Sequence, residues 1–142
     1  MLRITKILFL LLLTISSVKA NEVINKIVIN GNQRISEETI KIYGEIDKNQ
    51  KINENAINLI IKNLYSTNFF EDVDVSYSNK ILTINLKEYP IVNQLIIIGE
   101  KSNKIKNQIK KLISLKEKRS FIKSKLSNDL EIIKTLYASI GY

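Results

Sequence analysis

Hydrophobic and polar positions alternate along this chain with two periods, and the switches between them mark its elements. Ile57, Ile60, Ile61, Leu64 and Tyr65 recur at i, i+3, i+4, i+7 and i+8, one apolar face of a helix that starts at Asn53. Tyr65 is expected to pack into the core with that face. After Ser66-Thr67-Asn68, the pair Phe69-Phe70 opens a stretch in which Val73, Val75 and Tyr77 alternate with Asp74 and Ser76, the period of a half-buried strand. Ser78-Asn79-Lys80 supplies a turn. Leu82, Ile84 and Leu86 then alternate with Thr83, Asn85 and Lys87, which predicts a hairpin with matching apolar faces.

Upstream, Val23-Ile24-Asn25-Lys26-Ile27-Val28-Ile29 is rich in β-branched residues and reads as one strand, stopped by Gly31. Ser36 can cap a short helix, with Glu37 and Glu38 at its positive end and Ile35 placed to staple onto Ile40. Gly44 is expected to end that helix. Pro90, the only proline, closes the unit. Residues 21–90 therefore predict the order strand, helix, helix, strand, strand. That is an α+β fold with two helices on a three-stranded mixed sheet.

The pattern then begins again. Ile24 to Gly31 aligns without a gap on Val92 to Gly99, at an offset of 68. One helix follows with Ile105, Ile109, Leu112 and Ile113 on a face, and a second with Leu126, Leu130, Ile133, Leu136, Tyr137 and Ile140. Leu136-Tyr137 matches Leu64-Tyr65, and Gly141-Tyr142 falls where Phe69-Phe70 stood. Residues 91–142 are expected to form a second module of one strand and two helices that lacks its hairpin. Its second helix would expose much of its apolar face, and the chain reads as an N-terminal fragment of a longer protein.

Residues 1–20 have a different character. Arg3 and Lys6 precede an apolar run from Ile7 to Ile15, and Val18-Lys19-Ala20 has compact residues at −3 and −1, the layout of a cleavable export signal. Cleavage is expected between Ala20 and Asn21; an uncleaved anchor is the alternative. Removal of the signal lowers the formal net charge from +8 to +5. With no cysteine, the chain forms no disulfides and carries no lipid-bearing cysteine at the cleavage site. A periplasmic location in a Gram-negative bacterium fits.

The absence of both His and Cys excludes histidine bases, thiol nucleophiles and metal sites built from them. Glu71, Asp72 and Asp74 read as the solvated start of a strand, and no catalytic, cofactor-binding or metal residue is expected. Lys101 to Arg119 is strongly basic, with its lysines mostly opposite an apolar stripe and no interleaved aromatics. It lacks a stacking platform for nucleic acid. The bland reading is a solvated basic face, with acidic lipid headgroups or an acidic partner as the alternative.

Two phrases carry a family resemblance. They are Ile29-Asn30-Gly31-Asn32-Gln33-Arg34-Ile35-Ser36-Glu37-Glu38-Thr39-Ile40 and Leu64-Tyr65-Ser66-Thr67-Asn68-Phe69-Phe70-Glu71-Asp72-Val73. With the junction Glu88-Tyr89-Pro90-Ile91, and Leu126, Asp129, Ile133, Tyr137 and Gly141-Tyr142 later on, the chain resembles the first two POTRA domains of the BamA family of outer-membrane assembly factors. Gly99-Glu100-Lys101 departs from the Gly-Asn that the second copy would carry. The resemblance implies a non-enzymatic periplasmic scaffold whose partners are unfolded outer-membrane proteins and assembly-complex lipoproteins. It also implies membrane attachment through a C-terminal barrel that these residues do not contain. It places docking by strand addition on the edge strand Val73, Asp74, Val75, Ser76 and Tyr77. A POTRA region of a two-partner secretion transporter, or of a division-type inner-membrane protein, is the alternative.

Overall fold

A computed structural model describes residues 22–142; the expected signal and its cleavage between Ala20 and Asn21 lie outside the described residues. The elements of the first part are β1 (Glu22–Val23), β2 (Lys26–Asn30), α1 (Glu37–Gly44), β3 (Lys51–Ile52), α2 (Glu54–Ser66), β4 (Phe70–Ser78) and β5 (Ile81–Glu88). Both helices start where side-chain chemistry dictates. The Ser36 hydroxyl accepts from the Thr39 N–H, and Asn53 Oδ1 accepts from the Ala56 N–H.

The main sheet has the order β2-β5-β4, with β5 central, parallel to β2 and antiparallel to β4. Val73 faces Leu86, Val75 faces Ile84 and Tyr77 faces Leu82, so the apolar positions of the hairpin meet on one side of the sheet. That side meets α1 and α2: Ile40, Ile60, Leu64, Phe70, Leu82 and Ile84 are almost completely buried in one cluster. The opposite face is polar, with a ladder from Asn30 Nδ2 to Asn85 Oδ1 and from Asn85 Nδ2 to Asp74 Oδ2.

Three details differ from the sequence expectation. The first strand is split at Ile24-Asn25: β1 leaves the main sheet to pair with β3, held by Ile24 N–H to the Gln50 carbonyl and Asn49 N–H to the Ile24 carbonyl. Gly44 does not end α1 as a left-handed residue. Glu45 takes that conformation (φ 53°), and Gly44 is the last helical residue, where a Cβ would lie 2.6 Å from the Ile46 side chain. Tyr65 is not core; it is 41% exposed, for a reason given below.

The second part contains α3 (Asn103–Leu112) and α4 (Lys123–Ser139). The strand expected over Val92–Ile98 does not form; only an isolated bridge, Ile91 to Ser120, occurs there. Its alternation survives. Leu95 and Ile97 pack on Ile109, Ile113 and Leu136, while Ile96 and Ile98 are 64% and 89% exposed. In the first part, β2 is a strand because β5 supplies its hydrogen-bonding partner, and no strand plays that role here among the described residues. Leu126 and Leu130 of α4 and Ile140 at its C-cap are more than a third exposed, in line with the exposed apolar face expected of that helix, whereas Leu112 of α3 is exposed and Leu115 is buried.

Gly31 and Gly99 occupy matching places with positive φ (83° and 88°), yet their surroundings differ. A Cβ on Gly31 would lie 2.0 Å from the Leu86 carbonyl oxygen; on Gly99 it would meet nothing within 4 Å. Gly99→Ala should therefore cost only the left-handed penalty, about 1–2 kcal/mol, and Gly31→Ala about 3 kcal/mol or more. Urea denaturation of the two variants measures the difference.

Candidate functional site

Among the described residues β4, a nine-residue strand, has one sheet partner, β5, and its other side is an edge of the sheet. The strand is bulged between Phe70 and Asp72, then regular to Ser78. The Val73 N–H does not point at β5, because it donates to the Tyr65 hydroxyl at 3.2 Å. By the two-residue period of an antiparallel pair, the main chain of Val75 turns outward as well, while Asp74 and Ser76 address β5. The structure thus places Val73, Asp74, Val75, Ser76 and Tyr77 together on an edge strand.

Tyr65 explains its own exposure. Its ring leaves the core so that its hydroxyl can donate to Asp72 Oδ1 (3.2 Å) while accepting from Val73. α2 is thereby tied to the start of β4, and one outward N–H is already occupied. At the other end of the strand, the Tyr77 hydroxyl donates to the Val23 carbonyl. The acidic residues of the strand are dispersed rather than clustered. Glu71 pairs with Lys87 at 2.8 Å, Asp72 takes Tyr65, and Asp74 takes Asn85.

Beside this edge, the carboxylate of Glu88 organises the loop 33–35. Its Oε1 accepts from the N–H groups of Gln33, Arg34 and Ile35 at 2.8, 3.0 and 3.0 Å. Its Oε2 lies 3.0 Å from Arg34 Nε, an ion pair rather than a well-aligned hydrogen bond, and the Glu88 side chain is only 6% exposed. Arg34 also donates to the Tyr89 carbonyl. Burial, the largest single influence, opposes ionisation of Glu88. The three backbone donors and the Arg34 charge outweigh it and hold the carboxyl below its ordinary value.

Asp129 on α4 repeats the arrangement. It is buried, and its oxygens accept from Ser114 N–H, Ser114 hydroxyl and Leu115 N–H at 2.7, 2.9 and 2.8 Å. Burial again opposes ionisation most strongly, and the donors of Ser114 and Leu115 overcome it to lower the pKa. Between these two devices runs the linker 89–92. Tyr89 N–H bonds back to the Phe69 carbonyl, while Phe121 N–H reaches Pro90, Val92 N–H reaches Arg119, and Lys118 N–H reaches Val92.

The fold that carries this edge, loop and linker is shared with known proteins. The model of the family POTRA, described as "Surface antigen variable number repeat", matches residues 22–89 and again 90–142. The chain belongs to the POTRA family. It is 28% identical over 120 residues to the outer membrane protein assembly factor BamA of Neorickettsia risticii (strain Illinois), covering 83% of this chain but 16% of that protein. Among solved structures it is similar to the N-terminal domain of Omp85 from Thermosynechococcus elongatus, with TM-score 0.55 and 17% identity over 84% of this chain and 52% of that one. It is also similar to POTRA1-2 of the periplasmic domain of Omp85 from Anabaena, with TM-score 0.52 and 10% identity over 84% and 80%.

Within this POTRA fold, Arg34 and Glu88 belong to the phrases that carried the resemblance, yet their pairing was not visible in sequence, because 54 positions separate them. The Tyr65 clip was missed for a related reason, since its ring sits at a core period and only its hydroxyl reveals the other role.

Two outcomes follow from this geometry. Because the folded pKa values of Glu88 and Asp129 are lowered, the stability they contribute is present above their ordinary values of 4.5 and 3.8 and is lost as pH falls through the folded ones. Urea midpoints should fall below about pH 4.5, and Glu88→Gln should cost about 2 kcal/mol at neutral pH and flatten that acid slope. Tyr65→Phe should cost about 1 kcal/mol and speed amide exchange at Val73, as hydrogen-exchange NMR would record.

Proposed function

We propose that this chain forms two POTRA units, residues 21–90 and 91–142, of an outer-membrane protein assembly factor. In this reading it is exported to the periplasm and works there without enzymatic chemistry, as a receptor and scaffold for unfolded outer-membrane proteins and for partner lipoproteins of the assembly complex. The observation that carries the reading is the edge of β4, where the Val75 main chain turns away from β5, its only sheet partner among the described residues. An extended segment that pairs there gains main-chain hydrogen bonds whatever its sequence, and this suits clients made of β-strands.

The likeness to a BamA protein supports an assembly factor over a two-partner secretion transporter or a division-type protein. This chain spans about one-sixth of that relative's length, and attachment to the membrane through a barrel is assigned to the remainder of such a protein.

Proline at Val75 removes an outward N–H and leaves the β4–β5 ladder intact, because the ladder bonds belong to Asp74 and Ser76. Val75→Pro should weaken binding of an unfolded β-barrel client while the circular dichroism spectrum stays native. Asp74→Pro should damage the fold itself. Client binding by Val75→Pro equal to that of the parent protein, measured by fluorescence anisotropy, would remove the edge from the mechanism.

A further inference from the structure

The joint between the two matched segments holds a groove of about 480 Å³ that strand addition does not use. Arg34 lines it from the first segment, and Ser114, Lys116, Lys118, Arg119 and Lys125 line it from the second. Among the described residues, no carboxylate lines it. Two of the five cations are already committed. Arg34 holds Glu88 and the Tyr89 carbonyl, and Lys116 Nζ donates to the Lys110 carbonyl at the end of α3.

The other three, Lys118, Arg119 and Lys125, pair with no carboxylate among the described residues. Their positions are not incidental. Lys118 has a left-handed backbone (φ 60°), and its turn is hydrogen-bonded to the linker through Lys118 N–H to Val92 and Val92 N–H to Arg119. The turn therefore presents two cations from a fixed backbone, next to Lys125 in the first turn of α4. That helix adds to the field. Its N-cap, Ile122, offers no side-chain acceptor, and its first turn contains no acid. Elsewhere in the chain, Ser36, Asn53 and Ser102 cap their helices with side-chain oxygens.

We propose that this groove binds a phosphate-bearing ligand, held by Lys118, Arg119 and Lys125 at the joint. Like charges gathered without a counter-charge repel one another, and an anion with several oxygens relieves that repulsion while accepting from each cation. A carboxylate carries one charge and two oxygens, too little for three separated donors; a phosphate group supplies both in larger number. The ligand also meets residues of both segments, so its binding strengthens the joint that the linker hydrogen bonds define.

The experiment uses the full chain and two triple variants of equal net charge. Lys118→Ala/Arg119→Ala/Lys125→Ala empties the groove. Lys104→Ala/Lys110→Ala/Lys111→Ala removes the same charge from the exposed lysines of α3. Circular dichroism verifies that both fold. The probes are inorganic pyrophosphate, followed by calorimetry, and vesicles of equal parts phosphatidic acid, whose phosphomonoester has three terminal oxygens, and phosphatidylcholine. Vesicles of phosphatidylcholine alone serve as reference, so that any apolar insertion cancels. The groove variant should lose about tenfold or more in affinity, since each charge-assisted hydrogen bond is worth at least that factor. The α3 variant should lose less than about threefold, its charges being distant and screened. Binding of pyrophosphate assigns a soluble phosphate ester, and binding of the anionic vesicles alone assigns a lipid headgroup. The proposal is overturned if the parent chain binds neither probe, if the groove variant binds as well as the parent, or if both variants lose affinity equally.

Discussion

One buried carboxylate, that of Glu88, decides how the first part of the molecule closes. The loop 33–35 turns from β2 into α1 with three N–H groups converging on one buried carboxylate oxygen, and a buried acceptor left without donors costs about as much as a whole hydrogen bond gains. The last residue of β5 brings the acceptor. This is possible because Gly31, two residues earlier in the loop, lets the chain pass against the Leu86 carbonyl at a distance no side chain would permit. The glycine, the arginine and the glutamate are one device, although they lie in two distant phrases of the sequence. Everything beyond depends on it: Arg34 reaches from the same loop to Tyr89, and Tyr89 returns to Phe69 at the mouth of β4.

The second part solves the same problem with Asp129, which gathers the backbone of Ser114 and Leu115 at the end of α3. In both cases a charge is buried, which by itself disfavours the folded state, and in both the charge is repaid by donors already fixed by the fold. Such carboxylates act as specific clasps. An apolar replacement would leave the loop N–H groups without acceptors, so the interaction selects one loop geometry as well as stabilising it.

With the loop and joint clasped, the two surfaces to which binding is ascribed in the proposals above are of opposite character. The edge of β4 carries outward main chain flanked by Asp72 and Asp74, and it is partly occupied by the Tyr65 hydroxyl. The joint carries unpaired cations on a pinned turn. The helices and β5 support the β4 edge, while the linker sets cations where the two segments meet.

Much of this was legible in the order of residues. The period of 3.6 in α2, the alternation of β4 and β5, and the caps Ser36 and Asn53 are local, because neighbouring side chains and backbone groups determine them within a few positions. The recurrence of Ile24–Gly31 at Val92–Gly99 was equally plain, and alternation there is real, with Leu95 and Ile97 inward and Ile96 and Ile98 outward. What alternation could not determine was strand formation, since a strand exists only when another backbone completes its hydrogen bonds; β2 has β5, and Val92–Ile98 has no such partner among the described residues. Nor could it show that Tyr65 would exchange the core for Asp72 and Val73, that Glu88 would find Arg34, or that Lys118, Arg119 and Lys125 would meet Arg34 across a joint. The sequence by itself determined which faces are apolar and where helices begin, because those depend on near neighbours. Only the tertiary structure decided which charges meet and which edge remains at the surface, because both depend on groups that folding brings together from more than 50 positions apart.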